Sequence, residues 1–297
     1  MDLVNHLPDR LLFAVPKKGR LYEKCTDMLK GADIQFRRSN RLDIALCLNL
    51  PIALIFLPAA DIPTFVGEGR CDLGITGYDQ VLESGVDVDM GMDLLFGKCK
   101  LQIQVPQNSS YKSGEDLIGK TIVSSFINLT RRYFEKLEGV PEGGELKTRI
   151  KYVGGSVEAS VALGVGDAIV DLVESGETMK AAGLHAIETI LDTSAHLIYS
   201  KNPSDKNLLE TIKSRFEGVL AAQKYVLCNY NAPRDKLPLL LKETPGRRAA
   251  TVSPLEDEGW VAVSSMVERK DIATKMDNLK ALGASDILTF DITNCRV

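Results

Sequence analysis

Apolar residues recur along this chain in two rhythms. Short continuous or alternating runs read as β-strands, and runs with apolar positions three or four apart read as α-helices. Leu11, Leu12, Phe13, Ala14 and Val15 make residues 10–15 a buried strand, and a helix is expected over 21–29. Residues 41–46 and 52–57 read as two further strands. Asp61, Ile62 and Pro63 start a helix, with Asp61 as N-cap and Pro63 in the first turn. That helix stops at Gly67-Glu68-Gly69, and Asp72 to Gly77 then forms a strand closing on a tight turn. Leu101, Ile103 and Val105 alternate with Lys100, Gln102 and Gln104, so residues 96–105 form one long strand suited to a hinge crossing.

The pattern then repeats. A strand over 121–124 precedes a helix over 125–137, with Phe126, Leu129, Tyr133, Phe134 and Leu137 near one face, and 148–153 is a strand. Ser156 caps a short helix, Gly164-Val165-Gly166 ends it, and Asp167 opens the next strand. Helix, Gly-x-Gly, Asp, strand and Gly thus occur in the same order at Gly67 and at Gly164. This weak internal repeat suggests two similar α/β lobes with a cleft between them. Strands at 186–191 and 196–200 return toward the first lobe, and 208–223 is a long helix. The style changes near Lys224. Strand 224–230, helix 233–242 begun by Pro233, strands 251–255 and 259–267, helix 271–282 stopped by Gly283, and strand 287–292 follow. This βαββαβ order is the ferredoxin-like pattern, and without a catalytic cluster it suits a regulatory or assembling module. The expected boundaries are 1–102 with 188–222 for lobe one, 103–187 for lobe two and 223–297 for the C-terminal domain.

Candidate chemistry centres on the stretch from Asp167 to Met179. Residues 168–173 suit a short strand interrupted by Asp171, and Glu174, Ser175, Gly176, Glu177 and Thr178 then lead into a helix start that Gly183 ends. Backbone N–H groups converge at such a turn, and the helix dipole favours a phosphate there. The same residues would also serve as an ordinary N-cap, with Ser175 or Thr178 capping. Asp167 and Asp171 tip the balance, since carboxylates beside a phosphate cradle suit ribose hydroxyls or magnesium. A basic loop, Pro16-Lys17-Lys18-Gly19-Arg20, follows the first strand, where open α/β sheets bind ligands. Gly114 to Thr121 matches the P-loop pattern by letter. It lacks the strand before and the helix after that a P-loop needs, so the order is inverted and the motif is rejected.

Composition narrows the class. The chain has 297 residues, 44% hydrophobic and 26% charged, with a net charge of −4 and no long basic run, which argues against non-specific nucleic-acid binding. Six scattered cysteines without a C-x-x-C spacing suit free thiols in a reducing compartment. The absence of a leading signal pattern and of a long apolar run makes a cytoplasmic location and no membrane partner the expectation.

The motifs together resemble one family. Pro16-Lys17-Lys18-Gly19-Arg20-Leu21, Asp61-Ile62-Pro63, Asp72-Leu73-Gly74-Ile75-Thr76-Gly77, Phe96-Gly97-Lys98-Cys99-Lys100-Leu101, Gly155-Ser156-Val157-Glu158 and the Asp167 to Met179 stretch occur in order. This is similar to ATP phosphoribosyltransferase in its long, fungal form, over nearly the whole chain. The resemblance implies two lobes folded like periplasmic binding proteins and a C-terminal ferredoxin-like regulatory domain that binds histidine as feedback inhibitor. It also implies magnesium as cofactor, ATP and phosphoribosyl pyrophosphate as substrates, and dimers that assemble into hexamers. Carried onto this chain, Glu174, Ser175, Gly176, Glu177 and Thr178 would cradle the 5-phosphate. Asp167 and Asp171 would face the ribose hydroxyls. Lys18, Arg20 and Arg41 would meet phosphates, Glu158 would line the pocket, and Asp72 to Gly77 would shape the nucleotide side. Arg20, Asp167 and Asp171 are the expected catalytic residues. Pro58 stands where many members carry arginine, and Ala250 replaces a usual proline. The competing class is a solute-binding or sensor protein built on the same lobes. A regulatory subunit without catalysis is disfavoured by the intact phosphate loop.

Overall fold

The computed structural model describes residues 7, 9–39 and 42–296. The first lobe is a six-stranded sheet built from β1 (Leu11–Pro16), β2 (Ile44–Leu46), β3 (Ile52–Leu57), β4 (Leu73–Gly77), β5 (Asp89–Asp93) and the later β11 (Ala195–Tyr199), in the order β2-β3-β1-β4-β11-β5. Helices α1 (Arg20–Gly31), α2 (Ile62–Gly67) and α3 (Tyr78–Ser84) connect its strands. β3, β1 and β4 run parallel, so their carboxyl ends share one edge. Such strands are apolar throughout because helices cover both faces. Phe13, Ala14, Ile52, Ala53 and Leu54 are accordingly wholly buried.

The second lobe is a five-stranded sheet of β6 (Cys99–Pro106), β7 (Thr121–Ser124), β8 (Arg149–Tyr152), β9 (Ala168–Val173) and β10 (Leu184–Thr193), ordered β10-β6-β9-β7-β8. Helices α4 (Ile127–Glu138), α5 (Ala159–Ala162) and α6 (Glu177–Ala181) belong to it. Leu101, Ile103, Ile122, Phe134 and Val170 form its core. The chain crosses between the sheets twice, after β5 and between β10 and β11. The crossings lie side by side, with Ala195 N–H donating to Phe96 O and Leu94 N–H to Ala195 O, both at 2.9 Å.

The C-terminal module is a four-stranded antiparallel sheet. Its elements are β12 (Tyr225–Pro233), α8 (Leu237–Glu243), β13 (Thr251–Pro254), β14 (Trp260–Glu268), α9 (Ile272–Leu282) and β15 (Ser285–Asp291), in the sheet order β13-β14-β12-β15. Alternate residues of β12 and β14 are buried, as expected of a sheet with helices on one face only. Tyr230 is buried in that core and hydrogen bonds Thr244 Oγ1 at 2.8 Å. The compact unit that contains this module also takes in Met28–Ile34 and α7 (Lys206–Lys224) from Asn207 on; of the stretch 188–222 expected in lobe one, residues 188–206 group with the two lobes.

Local chemistry explains where elements differ from expectation. Asp61 and Ser156 do not cap by their side chains: Asp61 makes no cap hydrogen bond, and Ser156 has φ +49° while Glu158 occupies the N-cap of α5. Pro233 ends β12 opposite Trp260, and α8 starts only at Leu237, with a first-turn proline of its own. Helix α3 was not expected, since Asp79 and Gln80 interrupt its short apolar pattern. The P-loop lookalike is a 3-10 turn over Gly114–Leu117 followed by β7.

Candidate active site

Two strand-to-helix turns, one from each lobe, meet at the cleft. In lobe two β9 runs out at Val173, and the chain turns through Gly176, at φ +78°, into α6. Gly176, the N-cap of α6, offers no capping side chain, and the first-turn N–H groups after Glu177 stay available. Glu177 N–H donates to Ser175 Oγ at 3.4 Å. Glu174, Ser175, Gly176 and Thr178 line a cavity of about 250 Å³, and Glu177 does not.

Asp171 and Glu158 face the same cavity. Burial pushes the Asp171 carboxyl above its usual range, and the nearby Glu158 charge pushes it further; Leu172 N–H, donating to Asp171 Oδ1 at 2.8 Å, opposes this. Two carboxylates fit a divalent ion that arrives on substrate oxygens and keeps much of its water. Among the described residues no group of three or more His, Cys, Asp or Glu is placed to hold a metal by itself.

From lobe one comes Arg20, at the start of α1. Its Nη1 donates to Gly97 O at 2.5 Å, and its Nη2 lies 3.8 Å from Asp79 Oδ1. Lys18 and Gly77 line a smaller pocket of about 180 Å³ around the same arginine. Cys99 stands beside it; burial pushes the thiol up to about 11, against the opposing pull of Arg20, so it stays protonated near neutrality. A covalent cysteine step has no thiolate to start from.

Two expected site residues are elsewhere. Asp167 accepts Thr121 N–H on Oδ2 at 2.8 Å, and its own N–H donates to Thr121 O at 2.8 Å. It sits before β9, roughly 20 Å from the 174–178 loop at ~3.3 Å per extended residue. Asp72 does the same in lobe one: Oδ2 accepts Leu12 N–H at 2.7 Å, Asp72 N–H donates to Leu12 O at 2.9 Å, and Oδ1 accepts Ser204 N–H at 2.6 Å. Both carboxylates stitch the amino ends of neighbouring strands, away from the cleft. The internal repeat therefore marks a structural staple in each lobe. Arg41 lies outside the described residues.

Sequence reasoning missed Asp79, Cys99 and Gln104. Asp79 follows directly on the Gly77 turn and Cys99 sits inside a quoted motif, so position alone could have flagged both. Gln104, 2% exposed, reaches Asp171 O at 3.4 Å from the neighbouring strand, and no local pattern announces it. A larger cavity of about 740 Å³ adjoins the first, sharing Cys99 and the 174–176 wall. Lys98, Lys100 and Lys180 line it, with Tyr78 and His196, whose rings lie 5.3 Å apart.

A cleft that offers cations from one lobe, free amides and paired carboxylates from the other, and no activated nucleophile suits transfer of a phosphorylated sugar. The profile of the family described as HisG, ATP phosphoribosyltransferase, matches residues 58–218, and that of the HisG C-terminal domain matches 222–294. An ATP phosphoribosyltransferase of Kluyveromyces lactis is 72% identical over 298 residues, covering 100% of both chains. One of Saccharomyces cerevisiae is 69% identical with the same coverage. The solved ATP phosphoribosyl transferase (HisG:HisZ) complex from Thermotoga maritima has a TM-score of 0.58 at 27% identity, covering 70% of this chain and 98% of that one. With both domains matched in order and identity running from end to end, the chain belongs to the ATP phosphoribosyltransferase family, in its long, fungal form.

Proposed function

We propose that this chain transfers the phosphoribosyl group of phosphoribosyl pyrophosphate to N1 of the ATP adenine, the first step of histidine biosynthesis. What supports the reading is the meeting of Arg20 with the 174–178 turn in one cavity. The adenine N1 lone pair forms the new bond to the anomeric carbon, and pyrophosphate leaves with the electron pair of the broken C–O bond. N1 is already nucleophilic, so the protein's task is alignment, which supplies about 7–11 kcal/mol at best. In this reading the 174–178 amides hold the 5-phosphate, Asp171 accepts from the ribose hydroxyls, and Lys18 and Arg20 meet the departing pyrophosphate. A divalent ion, which we take to be magnesium, neutralises pyrophosphate charge when bound, and Glu158 with Asp171 would hold it. The larger cavity would take ATP, with Tyr78 and His196 beside the base and Lys98, Lys100 and Lys180 near the triphosphate. These lysines would supply the cation that Pro58 does not.

Histidine would bind the C-terminal module and suppress turnover, and the chains would pair into dimers and hexamers. The test is formation of phosphoribosyl-ATP from ATP and phosphoribosyl pyrophosphate with magnesium, with and without histidine. Turnover suppressed by histidine is expected. Turnover insensitive to histidine removes the regulatory role, and a folded protein without pyrophosphate release returns the cleft to the ligand-sensor class.

A further inference from the structure

Asp79 is a wholly buried carboxylate at the mouth of a polar cleft. An uncompensated charge there is strongly disfavoured, so its partners matter. Thr193 Oγ1 donates to Oδ1 at 2.8 Å, and Gln80 Nε2 donates to Oδ2 at 2.9 Å. The Arg20 guanidinium stands 3.8 Å from Oδ1. Thr193 ends β10, at one crossing between the lobes. Arg20 is tied through Gly97 O to the other crossing. One acid and one arginine thus connect both crossing segments to the pocket.

Two motif glycines make room for this arrangement. A Cβ on Gly77 would lie 2.2 Å from Asp79 Oδ1, and one on Gly97, at φ +64°, would lie 2.3 Å from Leu21 Cδ2. A side chain at Gly77 would displace the Asp79 carboxyl, and one at Gly97 would displace the Leu21 side chain in a backbone conformation that favours glycine. The 3.8 Å separation also has a use. It is too long for a hydrogen bond, so Asp79 steers the guanidinium by charge and leaves Nη2 donors for a ligand oxygen.

We infer that Asp79 is a positioning residue that fixes the Arg20 guanidinium for the pyrophosphate group of the ribosyl donor, a role that rests on the cleft being the donor site proposed above. Asp79→Asn keeps the shape and the Thr193 hydrogen bond while removing the charge. The experiment is a double-mutant cycle of Asp79→Asn and Arg20→Ala, read by calorimetric affinity for magnesium pyrophosphate and by turnover. Alone, Asp79→Asn is expected to weaken pyrophosphate binding about tenfold, the effect of losing one charge-assisted steering contact. In the Arg20→Ala background it is expected to do nothing further, since coupled residues are non-additive. Equal losses in both backgrounds would overturn the inference, as would unchanged affinity in Asp79→Asn. A merely structural role lowers the thermal midpoint and adds independently of Arg20. The affinity cycle reads out even without turnover, so coupled binding in an inactive wild type would sink the reaction and keep the positioning role.

Discussion

Asp171 carries the clearest consequence at the scale of one residue. Its carboxyl is raised by burial first and by Glu158 second. A carboxyl raised in the folded state contributes stability that is full below its unfolded value, about 3.9, and lost as pH rises through the folded value. Asp171→Asn is therefore expected to unfold at a higher temperature than wild type near pH 7, with the advantage shrinking as pH falls toward 4, while turnover drops. Thermal scans across pH check this; an advantage that grows in acid would contradict the burial argument. Asp171 was legible in the sequence because a lone acid in an apolar strand stands out. Asp167 and Asp72 stand out equally and proved to be strand staples, because the same local pattern serves both ends of a strand.

At the scale of elements, α4 shows how the lobes help each other. Its N-cap position is Phe126, which has no capping side chain. Glu83 of α3 supplies the cap from the other lobe: Oε1 accepts Asn128 N–H and Oε2 accepts Leu129 N–H, both at 2.9 Å. Asn128 Nδ2 returns a bond to Glu83 O at 2.8 Å. A carboxylate on a helix N-terminus is favoured by both the bonds and the dipole. Glu83→Ala should cost about 1 kcal/mol of stability in denaturant unfolding, and a change near zero would show that solvent replaces the cap. Ser124, at the end of β7, donates to Val170 O at 2.6 Å and accepts Phe126 N–H at 2.9 Å. The helix itself was legible from its apolar face, whereas its cap lies 45 residues upstream in another element.

At the scale of the whole molecule, the chain divides into two compact units with cores of their own. The proposed substrate cavities lie in the first unit. Scanning calorimetry should resolve two transitions. Phosphoribosyl pyrophosphate with magnesium at a hundredfold its Kd should stabilise only the two-lobe unit, by about 2.7 kcal/mol. Equal shifts in both transitions would contradict a donor site confined to that unit.

The amino-acid sequence alone determined the order of strands and helices apart from α3 and β5, the repeated lobe, the βαββαβ tail and the turn at Gly176. Periodicity, glycine freedom and proline restriction act over a few neighbouring residues, so they can be read in one dimension. Only the tertiary structure decided which polar groups meet. Thr193 reaches Asp79 across 114 residues and Arg20 reaches Gly97 across 77. Such pairs depend on strand order within each sheet and on where the two crossings lie. Burial then decides what each group does: it makes Cys99 an inert thiol and Asp171 a raised acid, while Asp79 is buried among Thr193, Gln80 and Arg20. These are properties of surroundings assembled from both lobes, which no single stretch of chain contains.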